Sequence, residues 1–385
     1  MKSGKAWLTA IAVTLILLFS LATITFAQSD AVGMIYESSS YIPTNIHGVR
    51  TFADAPKGFD ILKATDAELA TYGFPPRPNA ATDPDGYGQW ARAMSVAKVR
   101  WHGQPRDMGF SNLPMKSAPQ PAAVSAAAAT SAAVSATPGT VYSSNWSGIA
   151  NTNKLTKWNK SSSFYNVLST FNVPVAQQAF GTCSGYYDIE VSWNGIDGFS
   201  NGDVLQGGSL SQDICSNNTL STVYCGWVEW YPSYPVLCEF DVNPGDDMYV
   251  ETYSPLGGTN AGYVYIEDLT TLTYNSYALT WLTGPGLVGS SVEYIVERPG
   301  GGIYGLYPLG NYIDNFWAGS YGYTQAEWNL GKPSTAYPGS TASSTYLVDM
   351  LDDFGDQVIS VPAAQGKTGL FFYDTNCAFT GGCTP

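Results

Sequence analysis

Histidine is nearly missing from this chain. His47 and His102 are the two copies, and none occurs from Val141 to Pro385. If the C-terminal portion acts alone, a Ser-His-Asp triad, a Cys-His pair and a His-ligated metal are excluded. Charge is scarce as well: charged residues make up 12% of the 385, and no Lys or Arg occurs from Ser161 to Glu297. With a formal charge of −14, the chain lacks the clustered bases that phosphate backbones need, so nucleic acid is not expected as a partner. No glycine-rich loop follows a strand and opens a helix, which leaves nucleotides without a seat. Neither a metal nor another cofactor is expected.

What is present is hydrophobic, aromatic and glycine-rich: 44% hydrophobic and 14% aromatic residues, with 40 glycines. That mixture suits strands and turns rather than helical bundles. Lys2 and Lys5 precede an uncharged apolar run from Ala6 to Ala27, the plan of a secretory signal cut after Ala27. An uncleaved N-terminal membrane anchor is the alternative. From residue 28 to 116 the composition changes and bases concentrate, with nine of the chain's 17 Lys and Arg residues. Here Thr65 as N-cap, Glu68 three residues on and Gly73 as a stop predict a short helix. Residues 117–140 are mostly Ala, Ser, Pro, Thr and Val and read as a flexible linker carrying a processing site. A base-rich unit on a cleavable tether to an acidic body suggests a propeptide. A permanent small domain is the other reading.

The body, 141–385, alternates short apolar runs with Gly, Pro, Asn and Asp clusters. Runs such as Phe164–Val175, Thr222–Tyr231, Asp247–Tyr253 and Val292–Val296 predict an all-β, antiparallel sandwich or barrel. All six cysteines, Cys183, Cys215, Cys225, Cys238, Cys377 and Cys383, lie here. Behind a signal they read as three disulfides, with Cys225–Cys238 and Cys377–Cys383 the local pairings tried first and Cys183–Cys215 the remainder; fifteen connectivities are formally open.

Residues two apart on a strand share a face. Trp227, Glu229 and Tyr231 therefore line one side of their strand, Glu293, Ile295 and Glu297 one side of theirs, and Val204, Gln206 and Gly208 of a third. If these faces converge, they form a groove with aromatic walls, two or three carboxyls and a side-chain amide. Carboxylates inside such apolar strands are costly unless paired or used.

Five segments together resemble the glutamic peptidases, or eqolisins: Ser144-Asn-Trp-Ser-Gly148, Trp193-Asn-Gly-Ile-Asp-Gly198, Val204-Leu-Gln-Gly207, Trp227-Val-Glu-Trp-Tyr-Pro232 and Glu293-Tyr-Ile-Val-Glu297. The resemblance implies a two-sheet antiparallel sandwich of the lectin-like, concanavalin A type behind a small propeptide. It implies Gln206 and Glu297 as catalytic residues, with Glu229, Asp197, Glu293, Trp146, Trp193, Trp227 and Tyr231 supporting the site or shaping the substrate groove. In that scheme Glu297 takes a proton from the attacking water and returns it to the leaving nitrogen, while Gln206 steadies the oxyanion. A glutamate of ordinary pKa, about 4.3, then implies an acid optimum. The expected protein is a secreted, monomeric acid endopeptidase acting on polypeptides in acidic surroundings. Its own propeptide is expected to inhibit it and to be released as acid protonates body carboxylates. The sequence departs from the family pattern at Arg298-Pro299, Asn194, Phe199 and Cys225. A β-sandwich glycoside hydrolase using Glu229 and Glu297, and a lectin-like glycan-binding module, are the alternatives for the same groove.

Overall fold

The computed structural model describes residues 41–120, 139–177, 187–217, 219–301, 305–313 and 315–375. The signal segment, most of the linker and Cys183, Cys377 and Cys383 lie outside these residues. The body is built from β1 (Trp146–Thr152), β2 (Phe164–Asn172), β3 (Tyr187–Ile196), β4 (Val204–Ser216), β5 (Thr219–Tyr231), β6 (Leu237–Asp241) and β7 (Asp247–Tyr253). It continues with β8 (Ala261–Asp268), β9 (Thr273–Thr280), β10 (Ser291–Glu297), β11 (Phe316–Thr324), β12 (Thr345–Leu351), β13 (Val358–Gln365) and β14 (Gly369–Asp374).

Hydrogen bonding orders a front sheet β6-β5-β4-β3-β10-β1-β12 and a back sheet β9-β8-β7-β2-β11, every pairing antiparallel. Along one edge β13 and β14 join β12 to β11, so the ladder is continuous there. Elsewhere β3, β4 and β5 lie face to face on β2, β7 and β8 without sharing their ladders. This is the expected two-sheet sandwich. Its interior follows the period of two: Leu205, Val228, Trp230, Val292, Tyr294 and Val296 from the front meet Val167, Phe171, Met248, Val250, Val264 and Ile266 from the back.

The opposite faces are buried too, because the N-terminal unit wraps the sandwich. Its helix α1 (Asp66–Thr71) carries the expected Thr65 cap and capping box, with Gly73 at φ 72° just beyond. A second helix, α2 (Pro84–Met94), starts on an Asp83 cap with proline in its first turn; the sequence reading did not anticipate it. Phe74, Trp90, Ala93 and Met94 form one apolar cluster with Leu168, Tyr249, Tyr265, Tyr274, Tyr321 and Tyr323 on the outer face of the back sheet. Lys98 enters the same surface, 2.7 Å from Glu267 with both side chains almost wholly buried. The unit's other bases contribute little ionic attachment to the body: Arg106 reaches Asp241 at 3.5 Å on the surface, and Lys63, Arg100 and His102 pair within the unit. Packing, more than charge, holds the unit in place.

Past this point the chain turns around the sandwich edge. Residues 106–118, here called the strap, cross the outer face of the front sheet. Arg106–Asp107 pair with Leu237–Cys238 of β6, and Ser117–Ala118 pair with Tyr142–Ser143 at the far side. The first residues of the expected linker are thus part of a ladder. Beside the strap's entry, the expected disulfide Cys225–Cys238 ties β5 to β6. Cys215 is also disulfide-bonded, to a partner outside the described residues. Among those residues, no helix is long and apolar enough to cross a membrane.

Several carboxyls are buried without a cation among their hydrogen-bond partners. Burial pushes Glu190 up to about 8, partly offset by the Ser192 and Ser211 hydroxyls, and Glu251 up to about 8, partly offset by Tyr249 and Asn166. A pKa raised on folding adds stability that is fully present below the unfolded value, about 4.3, and is lost as pH rises through the folded one. The midpoint of thermal unfolding is therefore expected to be highest in acid and to fall steadily from about pH 5 to beyond pH 8 in a calorimetric pH series.

Candidate active site

The site lies on the outer face of the front sheet, where register brings together side chains far apart in sequence. Gln206 on β4 stands directly opposite Glu229 on β5 and Gly195 on β3, and Gly195 in turn faces Glu293 on β10. The next row holds Trp193, Gly208, Trp227 and Ile295. Beyond it, Val191 faces Glu297, which pairs with Trp146 on β1. Tyr231, half-buried, sits opposite Val204 at the other end. All the groove positions expected from alternation therefore share one face. Trp146 and Trp193 meet edge to face with centroids 5.0 Å apart.

Glu297 is held from three sides. Its Oε1 accepts the Asn145 Nδ2 at 3.1 Å and the Leu113 backbone N–H at 2.9 Å, and its Oε2 accepts the Trp193 indole N–H at 3.1 Å. Glu229 Oε2 accepts the Asn112 backbone N–H at 3.0 Å and the Gln206 Nε2 at 3.1 Å. Both carboxyls are wholly buried, and burial holds each well above the usual carboxylate range. The amides of Leu113 and Asn112 pull the other way, and for Glu229 the nearby Glu297 charge adds to the rise. Gln206 and Glu297 do not bond to each other; the strap lies across both halves of the site.

The strap is bound through its main chain. Val236 N–H donates to the Phe110 carbonyl at 3.0 Å, and Met108 N–H to the Val236 carbonyl at 3.1 Å. Ser111 and Gly300 exchange N–H to carbonyl bonds at 2.8 and 3.4 Å. The Leu113 carbonyl accepts both Asn145 Nδ2, at 3.1 Å, and the Trp146 indole N–H, at 2.9 Å. Met115 N–H reaches the Gly198 carbonyl at 3.0 Å, and Lys116 N–H the Asn145 Oδ1 at 2.8 Å. Phe110, Met108 and Met115 pack into the apolar cluster of Trp146, Trp193, Trp227 and Val236. This is strand addition: main-chain bonds supply grip, and pockets take alternate side chains.

Asn145 is the site residue that alternation could not find, because it precedes β1 on a turn rather than lying on a strand. Its amide serves Glu297, two strap carbonyls and a strap N–H. Asn145-Trp-Ser147 has the form of a glycosylation sequon, yet Asn145 is buried in this fold with its side chain engaged. Arg298 points away from Glu297, donating to the Ser144 carbonyl at 2.7 Å and pairing with Asp353; it steadies the turn that presents Asn145. Asp197, at φ 71°, is spent on a neighbouring loop. Its carboxylate accepts the backbone N–H groups of Val288, Gly289 and Ser290 and the Ser290 hydroxyl at 2.6 to 2.9 Å. Glu293 is wholly buried, which pushes its carboxyl well up, with the Ser291 hydroxyl a smaller opposing influence. The Trp227 indole N–H has no hydrogen-bond partner among the described residues. Within those residues no cluster of His, Cys, Asp or Glu is arranged to hold a metal. Two carboxyls and an amide, shielded from water beside a bound main chain, can move protons and stabilise developing negative charge.

A family model described as the Peptidase A4 family matches residues 144–345. Among solved structures, a scytalido-glutamic peptidase with a transition state analog inhibitor is 18% identical, aligned over 60% of this chain and 98% of that one, with a TM-score of 0.47. SCP-B, described as a member of the eqolisin family in complex with the tripeptide Ala-Ile-His, is 16% identical over 60% and 98%, with a TM-score of 0.43. Aspergilloglutamic peptidase from Aspergillus niger is 19% identical over 49% and 99%, with a TM-score of 0.38. No curated protein matches the sequence. The structural likenesses are loose, and the family match carries the weight.

Replacing Asp197 by Ala would strand three backbone donors and a hydroxyl in the interior. At roughly 1 to 3 kcal/mol for each unsatisfied group, the variant is expected to lose at least about 3 kcal/mol of stability by chemical denaturation. Tyr231→Phe, at the half-buried end of the groove, is expected to lose almost none.

Proposed function

The chain belongs to the Peptidase A4 family, a family of glutamic-type peptidases, and on that premise we propose a secreted acid endopeptidase working through Gln206 and Glu297. The family sets aside the glycoside hydrolase and lectin readings. The observation that carries the proposal is the strap: a polypeptide main chain already lies in the groove, with consecutive N–H groups on Glu229 and Glu297.

In the proposed reaction a substrate replaces the strap. Glu297 accepts a proton from a water that attacks the scissile carbonyl carbon, forming the new C–O bond, and returns the proton to the nitrogen as the C–N bond breaks. Asn145 and the Trp193 indole orient its carboxyl. Gln206 turns its Nε2 from Glu229 to the carbonyl oxygen as negative charge develops there, and Glu229 anchors the amide between turnovers.

The strap supports the reading of the N-terminal unit as an inhibitor. In its present register the strap sets the Leu113 N–H on Glu297 Oε1, and the carboxyl is wholly buried beneath it, so an attacking water has no approach. How acid acts on this inhibitor follows from the sign of the pKa shifts. Burial, the main cause at Glu229, Glu297 and Glu267, favours the neutral carboxyl while the unit is bound. Binding the unit and binding protons therefore reinforce each other at these groups. Acid does not lift the unit through them. In the proposed scheme the unit is lost once the tether is cut by an enzyme molecule whose own groove is open.

Acid-treated protein is expected to cut its own chain between residues 119 and 140 and then to hydrolyse denatured protein. Gln206→Ala should lower kcat by about a hundredfold or more, and Glu297→Gln by about ten-thousandfold. Full activity in either variant sinks the dyad. A synthetic peptide of residues 106–118, added to the processed enzyme, should inhibit more weakly as pH rises from about 4 to 6. Tighter inhibition over that range would restore the acid-release scheme.

A further inference from the structure

The strap's side chains mark pockets, and two glycines past Glu297 shape them. Leu113 rests on Gly300: a Cβ built there would lie 2.5 Å from the Leu113 Cδ1 and 2.8 Å from its Cγ. Gly300 also exchanges main-chain bonds with Ser111, so its backbone cannot retreat without releasing the strap. At Gly301, the neighbouring glycine, an added Cβ would run into the Tyr307 ring. That ring meets Phe110 edge to face with centroids 5.7 Å apart. Phe110 is otherwise packed in the apolar cluster that holds Val236 and Trp227. Between the two pockets Asn112 is wholly buried, with neither its carbonyl nor its amino group hydrogen-bonded among the described residues. Phe110 is enclosed, Leu113 is half-buried against Gly300, and Asn112 is buried without partners among those residues.

We infer that the groove selects polypeptides carrying a large aliphatic side chain at the Leu113 position and an aromatic one three residues earlier, with Gly300 and the Tyr307–Gly301 pair as the specificity-determining residues. The inference rests on the peptidase reading and adds its substrate class. Gly300 makes room for the aliphatic chain. Tyr307, seated over Gly301, walls the aromatic pocket. At the Asn112 position an apolar residue of similar size is favoured, since a buried amide without hydrogen-bond partners gives up its contacts with water for nothing. The strap is in this respect a weaker ligand than a good substrate, as befits a segment that has to leave. The selectivity comes from Gly300 and Gly301, which directly follow the departure from the family pattern at Arg298-Pro299, and from Tyr307.

Two measurements test it. In the full chain at neutral pH, Gly300→Val should lower the unfolding midpoint, and adding Leu113→Ala should restore most of the loss. After acid treatment, a peptide library should show the wild type favouring the aromatic and aliphatic residues at that spacing. Gly300→Val should move the second position to Ala or Gly, changing the ratio of kcat/KM for Leu against Ala by about tenfold or more. Tyr307→Ala should lose the aromatic preference alone. Cleavage by the wild type without that spacing, or an unchanged profile in Gly300→Val, overturns the inference while leaving the peptidase reading intact. No cleavage by any form overturns the peptidase reading and the selectivity with it. Rescue by Leu113→Ala would then report the contact as packing only.

Discussion

Two carboxyls withdrawn from water have to be answered by hydrogen-bond donors, and in this protein successive backbone amides of the strap help to answer them. Asn112 and Leu113 donate to Glu229 and Glu297, and Gln206, Asn145 and Trp193 complete the set. The geometry is that of a polypeptide gripped by its main chain. A groove that answers its carboxyls in this way is preorganised for another main chain and indifferent to much of its sequence. The side-chain pockets then add choice at a few positions.

The same wrapping explains which parts of the fold could be read from residues alone. A strand open to water on one side shows alternation, and the rows holding Gln206, Glu229 and Glu297 were legible that way. The burial of both faces, by contrast, was not. Tyr249, Tyr265 and Tyr323 look like an ordinary half-exposed sheet until α1, α2 and Lys98 are laid over them. The capping box at Thr65 and Glu68 was legible because its chemistry is local. Helix α2 was not, although Asp83-Pro84 is an adequate start signal, because Gly86 and Gly88 weaken its pattern. The strap had no signal at all. It is held by backbone groups, which every residue carries, so its place is decided by the groove.

Asn145 and Arg298 illustrate the same limit at the site. Both flank functional strands, and their roles depend on a turn that brings Ser144 beside Arg298 and Asn145 beside Glu297. Period two sends Arg298, the residue just past the strand, away from Glu297. It had nothing to say about what the guanidinium would find there. Acid character likewise has more than one source: the low count of bases is visible in composition, while the elevated carboxyls of Glu190 and Glu251 depend on burial that only the folded sandwich creates.

The shared cluster between the N-terminal unit and the back sheet has a consequence for how the chain is made. Phe74 and Trp90 leave the ribosome long before Tyr249, Tyr265 and Tyr274, which complete their surroundings. The unit contributes one side of a cluster that closes only when the back sheet arrives, so the two mature together. Were the tether cut, as proposed, the contacts that link residues far apart within one molecule would become contacts between two. Their effective concentration would collapse to whatever the surroundings supply. A severed unit that drifted away would not easily be recaptured, and the proposed cut would be a one-way step.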